Sequence, residues 1–458
     1  MNKEKILAKY FSNVFHIELS EKVKLFGNEI DPKITNETYA IFVHEYWHYL
    51  LNISTSVRIR DFSLWYQLFP IFSRTLTVDN NGESDTTTLT EEDKKLLEEI
   101  GDLYITYSEC GFSISEDEEM IDFKVISDII SEDTDLTLKG IKVPFKNGKI
   151  KVEITTNTKK YEDYLYINND FIDESIANSI ERMIDNVGKK NPITPYYTLS
   201  KISEYFNNGA SLSYYELACI GTLSLLTTNP ALSLNGLFKD YIILKKNNTI
   251  NNSVTILCNT IKPLFEEIST TIMSDMEEIL RIYENRHPAY QAINFIKEKI
   301  EKAIYFRSRN LLFELTPFKN NIVNHQALSK IIFEIFKPCD VIQKTYGDFL
   351  EIERDIIKSF ELEQIEIDNQ LIYPSFLMQV INCQLNYFKA HWAIYNLMDS
   401  RLAEEKCPYF STCGLKCRTE TPDICLKAPW KTFIKNGEKC AYSHAVSTLI
   451  GLTKLKQE

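Results

Sequence analysis

At 458 residues the chain is too long for one small domain and reads as two to four domains or subdomains. Its 44% apolar content, rich in Phe and Tyr, is enough for a large core and excludes global disorder. A net charge of −13 excludes a general nucleic-acid surface, which needs a basic excess, though a local basic patch stays open.

The N-terminal stretch MNKEKILAKYFSNVF has neither a long apolar run nor a small-residue cleavage site, so no secretory signal is read. Apolar runs such as that around Leu217 to Leu226 are too short or too interrupted to span a bilayer. The expectation is a soluble, cytoplasmic protein whose ten cysteines are thiols or metal ligands. Residues 11 to 32 read as strands and turns, FHIEL and then VKLFGNEI, stopped at Asp31-Pro32. Thr35 or Asn36 can cap a helix that begins near Glu37 and runs to about Leu51. A second helix-like segment, DFSLWYQLFPIF, follows.

Residues 76 to 135 turn polar and acidic, as in a surface insertion with a short helix near Glu91 to Ile100. LKGIKVPFKNGKIKVEITT then alternates around Asn147-Gly148, which predicts a hairpin turning at those two residues, and YEDYLYINND adds a further strand. Residues 169 to 187 read as an amphipathic helix with Ile172, Ile176, Ile180 and Met183 as its stripe. SYYELACIGTLSLLTTNPALS is another buried helix, ending before Pro230. From about 251 to 405 the pattern is helical throughout, and 406 to 445 is loop-like and rich in cysteine. No internal repeat is seen.

The stretch HEYWH, residues 44 to 48, holds two of the seven histidines four residues apart, with a glutamate beside the first. Positions i and i+4 share a helix face, so His44 and His48 can aim their ring nitrogens at one ion. Glu45 lies about 100° around from His44 and can reach a water on that ion. The neighbours Phe42, Val43, Tyr46, Trp47, Tyr49 and Leu50 make the helix apolar nearly all round. Burying three ionisable groups without partners costs on the order of several kcal/mol, and a metal satisfies all three. The competing reading is a pair of core histidines hydrogen-bonded to backbone or acids.

H-E-x-x-H on a helix resembles the active-site signature of the zincin metallopeptidases. The resemblance covers those five residues and the strand-then-helix order around them. It implies that His44 and His48 bind Zn2+ and that Glu45 is the general base, taking a proton from a zinc-activated water. The metzincin extension is absent, because Leu51 and Ser54 stand where its glycine and third histidine would be. The gluzincin pattern, with a glutamate ligand from a later helix, points to Glu174 in IDESIANSIERM. Ala177, Asn178 and Glu181 follow it along one face; small Ala177 allows close helix approach, and Asn178 or Asp173 can bond a ligand imidazole. The family more often has aspartate where this chain has Asn178. A solvated face with Glu174 and Glu181 outside competes with this reading. Glu216 is the second choice of ligand, ahead of His287, His325, His391 and His444. Zincins also need an oxyanion-stabilising group, for which Tyr196, Tyr197, Tyr214 and Tyr215 are candidates that nothing separates among 25 tyrosines. The strand YLYIN is a candidate edge for an extended peptide.

Cys407, Cys413, Cys417 and Cys425 fall within nineteen residues, and Cys440 follows, in a turn-rich segment with little apolar material. Such a segment is commonly stapled by metal, and four thiolates suit a second Zn2+ or an iron–sulfur cluster. There is no C-x-x-C, so free thiols compete, and His444 can replace one cysteine. Seven basic residues between Lys406 and Lys439 make the tail locally basic, with a solvated surface favoured over contact with a nucleic acid or an acidic partner. Cys110, Cys219, Cys258, Cys339 and Cys383 read as core residues.

These readings combine into an α+β, mostly helical protein. A zincin-like catalytic core with a small sheet would span residues 1–75 and 165–250, interrupted by an acidic insert and β-hairpin at 76–164. A helical domain at 251–405 and a cysteine-rich module at 406–458 would complete it. The expected function is a zinc-dependent peptidase acting on a protein or peptide substrate, with a regulated intracellular effector, released by a protein partner or by the cysteine module, as a variant. The alternative is a zinc-stabilised interaction or regulatory protein without peptidase activity. No general nucleic-acid binding and no membrane span are expected.

Overall fold

A computed structural model describes residues 8–11, 15–20, 36–60, 62–63, 77–79, 82–85, 90–92, 95, 120–138, 141–186, 192–282, 288–338, 340–346, 353–357, 365–367, 370–372, 374–394, 407–409, 420–432 and 440–455. Most of DFSLWYQLFPIF and of the acidic insert lies outside these residues. The architecture is mostly helical with small sheets.

Strands β1 (Ala8–Phe11) and β2 (His16–Leu19) precede helix α1 (Asn36–Ser54). Every side chain of α1 from Phe42 to Ser54 except Glu45 is buried, as its apolar circumference demands. The last turn of α1 carries no basic residue. Its carbonyl end is met instead by buried Arg307, which donates to Ser54 O at 2.6 Å and Ser54 Oγ at 2.7 Å while pairing with Glu314 at 2.6 Å.

Strands β3 (Thr77–Val78) and β4 (Ser84–Asp85) make a small hairpin in the insert. Strands β5 (Met120–Val125), β6 (Ile130–Leu138), β7 (Ile141–Thr156) and β8 (Lys160–Ile167) form an antiparallel sheet in which β7 pairs with all three others. The hairpin expected to turn at Asn147-Gly148 does not do so. Strand β7 runs straight through both, with Asn147 opposite Glu132 and Gly148 opposite Ser131, and the chain reverses between Leu138 and Ile141 instead. The glycine serves packing: a Cβ at Gly148 would lie 2.3 Å from the Cβ of Ala231.

Helix α2 (Asn169–Ile184) starts at Asn168, whose side chain accepts from Phe171 N at 3.0 Å. Its stripe of Ile172, Ile176 and Ile180 is buried as expected. Helices α3 (Thr198–Phe206) and α4 (Tyr214–Leu225) pack on it. Gly221 of α4 permits this, since a Cβ there would meet Ile176 at 2.7 Å and Leu199 at 2.8 Å. Pro230 opens helix α5 (Pro230–Lys245), a position where its missing N–H costs nothing. Helices α6 (Ile250–Ile282) and α7 (Pro288–Arg309), a 3-10 stretch Phe313–Asn321, and α8 (His325–Lys330) running into a π turn Ile331–Ile335 follow.

The expectation of helix throughout 251–405 fails at four strands: β9 (Asp340–Tyr346), β10 (Glu353–Ile357), β11 (Ile365–Ile367) and β12 (Gln370–Ile372). Val341, Ile342 and Thr345 are β-branched, and β9 finds its parallel partner in distant β2, with Asp340 opposite His16. The resulting sheet has the order β1-β2-β9-β10, with β1 outermost and against α1. Helices α9 (Pro374–Ile394), α10 (Pro422–Lys427) and α11 (Ala441–Leu455) complete the chain. Among the described residues no helix is long and apolar enough to cross a membrane.

Candidate metal centre

Helices α1 and α2 run antiparallel: Arg58, beyond α1, pairs with Asp170 and Asp173, His48 meets Glu174, and His44 reaches Glu181. This crossing builds the site. The rings of His44 and His48 stand one turn apart, centroids 5.0 Å. Both turn Nε2 toward the same oxygen of Glu174, at 3.3 Å and 3.5 Å. The three ligating atoms lie within 4.8 Å of one another, and among the described residues no other group of three such side chains converges in this way. Two borderline nitrogens and one carboxylate from two packed helices suit a divalent ion of the zinc type.

The electrostatics are those of a pre-charged site. Burial opposes an imidazolium at His44, but hydrogen bonds to Glu174 and Glu181 outweigh it and raise the group to about 10. His48 is also raised, burial being overcome by the charge and hydrogen bond of Glu174. Burial would raise Glu174, yet the charges of the two imidazoles and their hydrogen bonds hold it well below the usual carboxylate range. Glu45, half-buried, is pushed up chiefly because its surroundings displace water from the carboxylate, against the pull of His44 and His48.

Around these groups sits a shell of orienting contacts. Glu181 Oε2 lies 3.0 Å from His44 Nδ1, so a proton on Nδ1 is donated to Glu181 and Nε2 is left for an ion. Asn178 and Asp173, the expected imidazole partners, do otherwise. Asn178 Nδ2 donates to Tyr196 O at 3.1 Å, and Asp173 Oδ2 accepts from Arg58 Nε at 2.6 Å. Glu181 is two turns beyond Glu174 on the same face, so spacing alone could have nominated it. Tyr10 of β1 had no such signal. Its backbone N–H donates to the Glu45 carboxylate, and its ring stacks over His48 at 6.3 Å and 11°. The edge strand touching the site is thus β1, whereas YLYIN lies in β8 of the other sheet.

Of the four candidate tyrosines Tyr196 lies beside the centre, its ring centroid 5.9 Å from that of His44. Burial, then the charges of Glu174, Glu45 and Glu181, push its phenol up, so it stays a hydrogen-bond donor. Tyr197 turns away to the Arg182 guanidinium at 6.0 Å, and Tyr215 bonds Cys219. Glu216, the second choice of ligand, is committed elsewhere: it closes a capping box with Ser213 and accepts from Tyr241 Oη at 2.6 Å. His325 packs near Tyr39, His391 lies tilted against Tyr387, and His444 lies beside Phe376; none of them belongs to the three-ligand group. His287 lies outside the described residues.

In the tail, Cys413 and Cys417 lie outside the described residues. Cys425 and Cys440 are buried and Cys407 half-buried; on their own these three form no three-ligand group. Cys440 Sγ accepts from Ser443 N at 3.3 Å and contacts Thr432 Oγ1 at 3.5 Å.

Set against protein-family models, curated proteins and solved structures, the chain matches none.

Proposed function

We propose that the chain is a zinc-dependent peptidase of gluzincin-like type acting on a protein or peptide. The observation that carries this reading is the convergence of His44 Nε2, His48 Nε2 and Glu174 from two helices, with Glu45 and Tyr196 beside them. A zinc ion held by those three residues supplies a Lewis acid that acidifies a water and polarises a peptide carbonyl. Glu45 then takes a proton at its carboxylate and returns it to the leaving amine. The N–H of Tyr10 holds that carboxylate in place. Tyr196 donates a hydrogen bond to the oxygen on which negative charge develops. Glu181 keeps the His44 ring in one tautomer and one orientation.

Metal content per chain, measured on wild type and on His48→Ala, tests the centre, and cleavage of a peptide mixture by Glu45→Gln tests the chemistry. One zinc lost in His48→Ala and hydrolysis abolished in Glu45→Gln, with its zinc retained, support the reading. Metal surviving in His48→Ala belongs to the cysteine-rich tail. Zinc-loaded wild type without hydrolysis of any peptide would leave a zinc-stabilised binding protein. A closed set of four protein ligands would mark a purely structural zinc site, and an open position with a bound water beside Glu45 would mark the catalytic one.

A further inference from the structure

We propose that Asn178 and Ser175 of α2 are positioning residues that hold Tyr196 against the metal centre. The proposal rests on the peptidase reading above, in which Tyr196 is the oxyanion donor. Ser175 Oγ donates to Pro195 O at 2.6 Å, and Asn178 Nδ2 donates to Tyr196 O at 3.1 Å. Ser175 Oγ also accepts from Leu199 N at 3.4 Å, tying the far end of the same turn to α2. Both side chains are buried, at 1% exposure, so these bonds are shielded from water.

Two successive carbonyls, one on each side of the Tyr196 Cα, are therefore pinned to one helix. That fixes both peptide planes flanking Tyr196 and hence the direction of its side chain. The consequence is visible in the neighbouring pair: Tyr196 faces His44 at 5.9 Å, while Tyr197 faces Arg182 at 6.0 Å. A slip of the loop by one residue would exchange them. The residue type at 178 also follows from the partner. A backbone carbonyl needs a donor, which an asparagine has and an ionised aspartate lacks. The imidazole-orienting task falls to Glu181 instead. One stripe of α2, at 174, 178 and 181, thus supplies a ligand, the holder of the electrophile and the holder of a ligand.

The test is a double-mutant cycle with an independent spectroscopic arm. Asn178→Ala, Asn178→Asp and the gentler Ser175→Ala are made alone and in the Tyr196→Phe background, and zinc content, kcat and KM are measured on a peptide that wild type cleaves. Asn178→Ala is expected to lower kcat about 10- to 100-fold with KM and zinc content nearly unchanged. In the Tyr196→Phe background it should cause no further loss. In parallel, 3-fluorotyrosine is placed at 196 and its fluorine resonance is followed in metal-free and zinc-loaded protein. Wild type should give one line displaced by zinc; the Asn178 and Ser175 variants should lose that displacement. Equal losses with and without Tyr196→Phe, or an unaltered fluorine response in all three variants, overturn the proposal. If zinc-loaded wild type cleaves nothing, the peptidase reading fails and the fluorine arm alone decides the clamp.

Discussion

On the zinc reading proposed above, the strength with which the ion is held should depend on Glu181, a residue outside the group His44, His48 and Glu174. Its carboxylate lies 3.0 Å from His44 Nδ1, and the two side chains are only 10% and 8% exposed. A hydrogen bond to a charged partner in such a place contributes about 1.5–3 kcal/mol. Glu181→Gln keeps an acceptor oxygen of nearly equal reach and loses the charge, which roughly halves the bond. The expected loss is about 1 kcal/mol, close to a fivefold weaker zinc Kd. Glu181→Ala leaves the Nδ1 proton facing no acceptor and frees the ring to turn, so the whole bond is lost and affinity falls about 10- to 150-fold. Competition with a chromophoric chelator over a series of pH values reads both losses once the proton that Glu181 helps metal-free His44 to keep is accounted for, on protein shown by circular dichroism to be folded. An alanine variant that holds zinc within twofold of wild type refutes the argument, as does a glutamine variant weaker than the alanine one.

Zinc binding should release protons near neutral pH, because in metal-free protein Glu174 and Glu181 raise His44 to about 10 against its burial, and His48 is raised as well. Affinity should therefore climb as pH rises toward about 10, and calorimetry in buffers of different ionisation enthalpy should show the release; a buffer-independent heat contradicts it. The same shift makes a stability statement: a folded-state value raised above 6.5 stabilises the metal-free fold fully below about 6.5, and that contribution is lost as pH passes through about 10. Gly148→Ala should destabilise by about 1–3 kcal/mol, since its methyl would sit 2.3 Å from Ala231 Cβ and force β7 from α5; an unchanged urea midpoint contradicts this. Glu314→Gln should cost about 3–5 kcal/mol by stranding fully buried Arg307, and replacing both partners with apolar residues should recover most of it, again read from denaturant unfolding.

What could be read from the chain before folding was what a single helix encodes. HEYWH sets two imidazoles and a carboxylate by spacing within α1, and the structure keeps all three together. Glu174 was readable for the same reason, since a carboxylate on an otherwise apolar stripe must find a partner or a solvent-facing side. The misses share the opposite property. Strand β9 owes its existence to β2, more than three hundred residues earlier, so the local pattern could not separate it from the helices around it. Asn147-Gly148 carries a strong turn signal, yet the space opposite Gly148 is filled by Ala231, and the close approach outweighs the local preference.

The site repeats this division at the scale of single atoms. Asn178 had two available roles, and a helix face cannot say whether its amide meets a ring nitrogen or a carbonyl; the loop at 195–197 decides it. Tyr10 is the extreme case, because its N–H reaches Glu45 only once β1 has paired with β2 and the sheet has docked on α1. Ligands that must share a metal are forced into short, rigid spacings, whereas groups that orient ligands or donate to a substrate need only arrive in the right place. Such groups can therefore come from anywhere in the chain. Functional residues of the second kind are those for which local spacing is least informative, and they are where the packing of α1, α2 and β1 adds most to the chemistry.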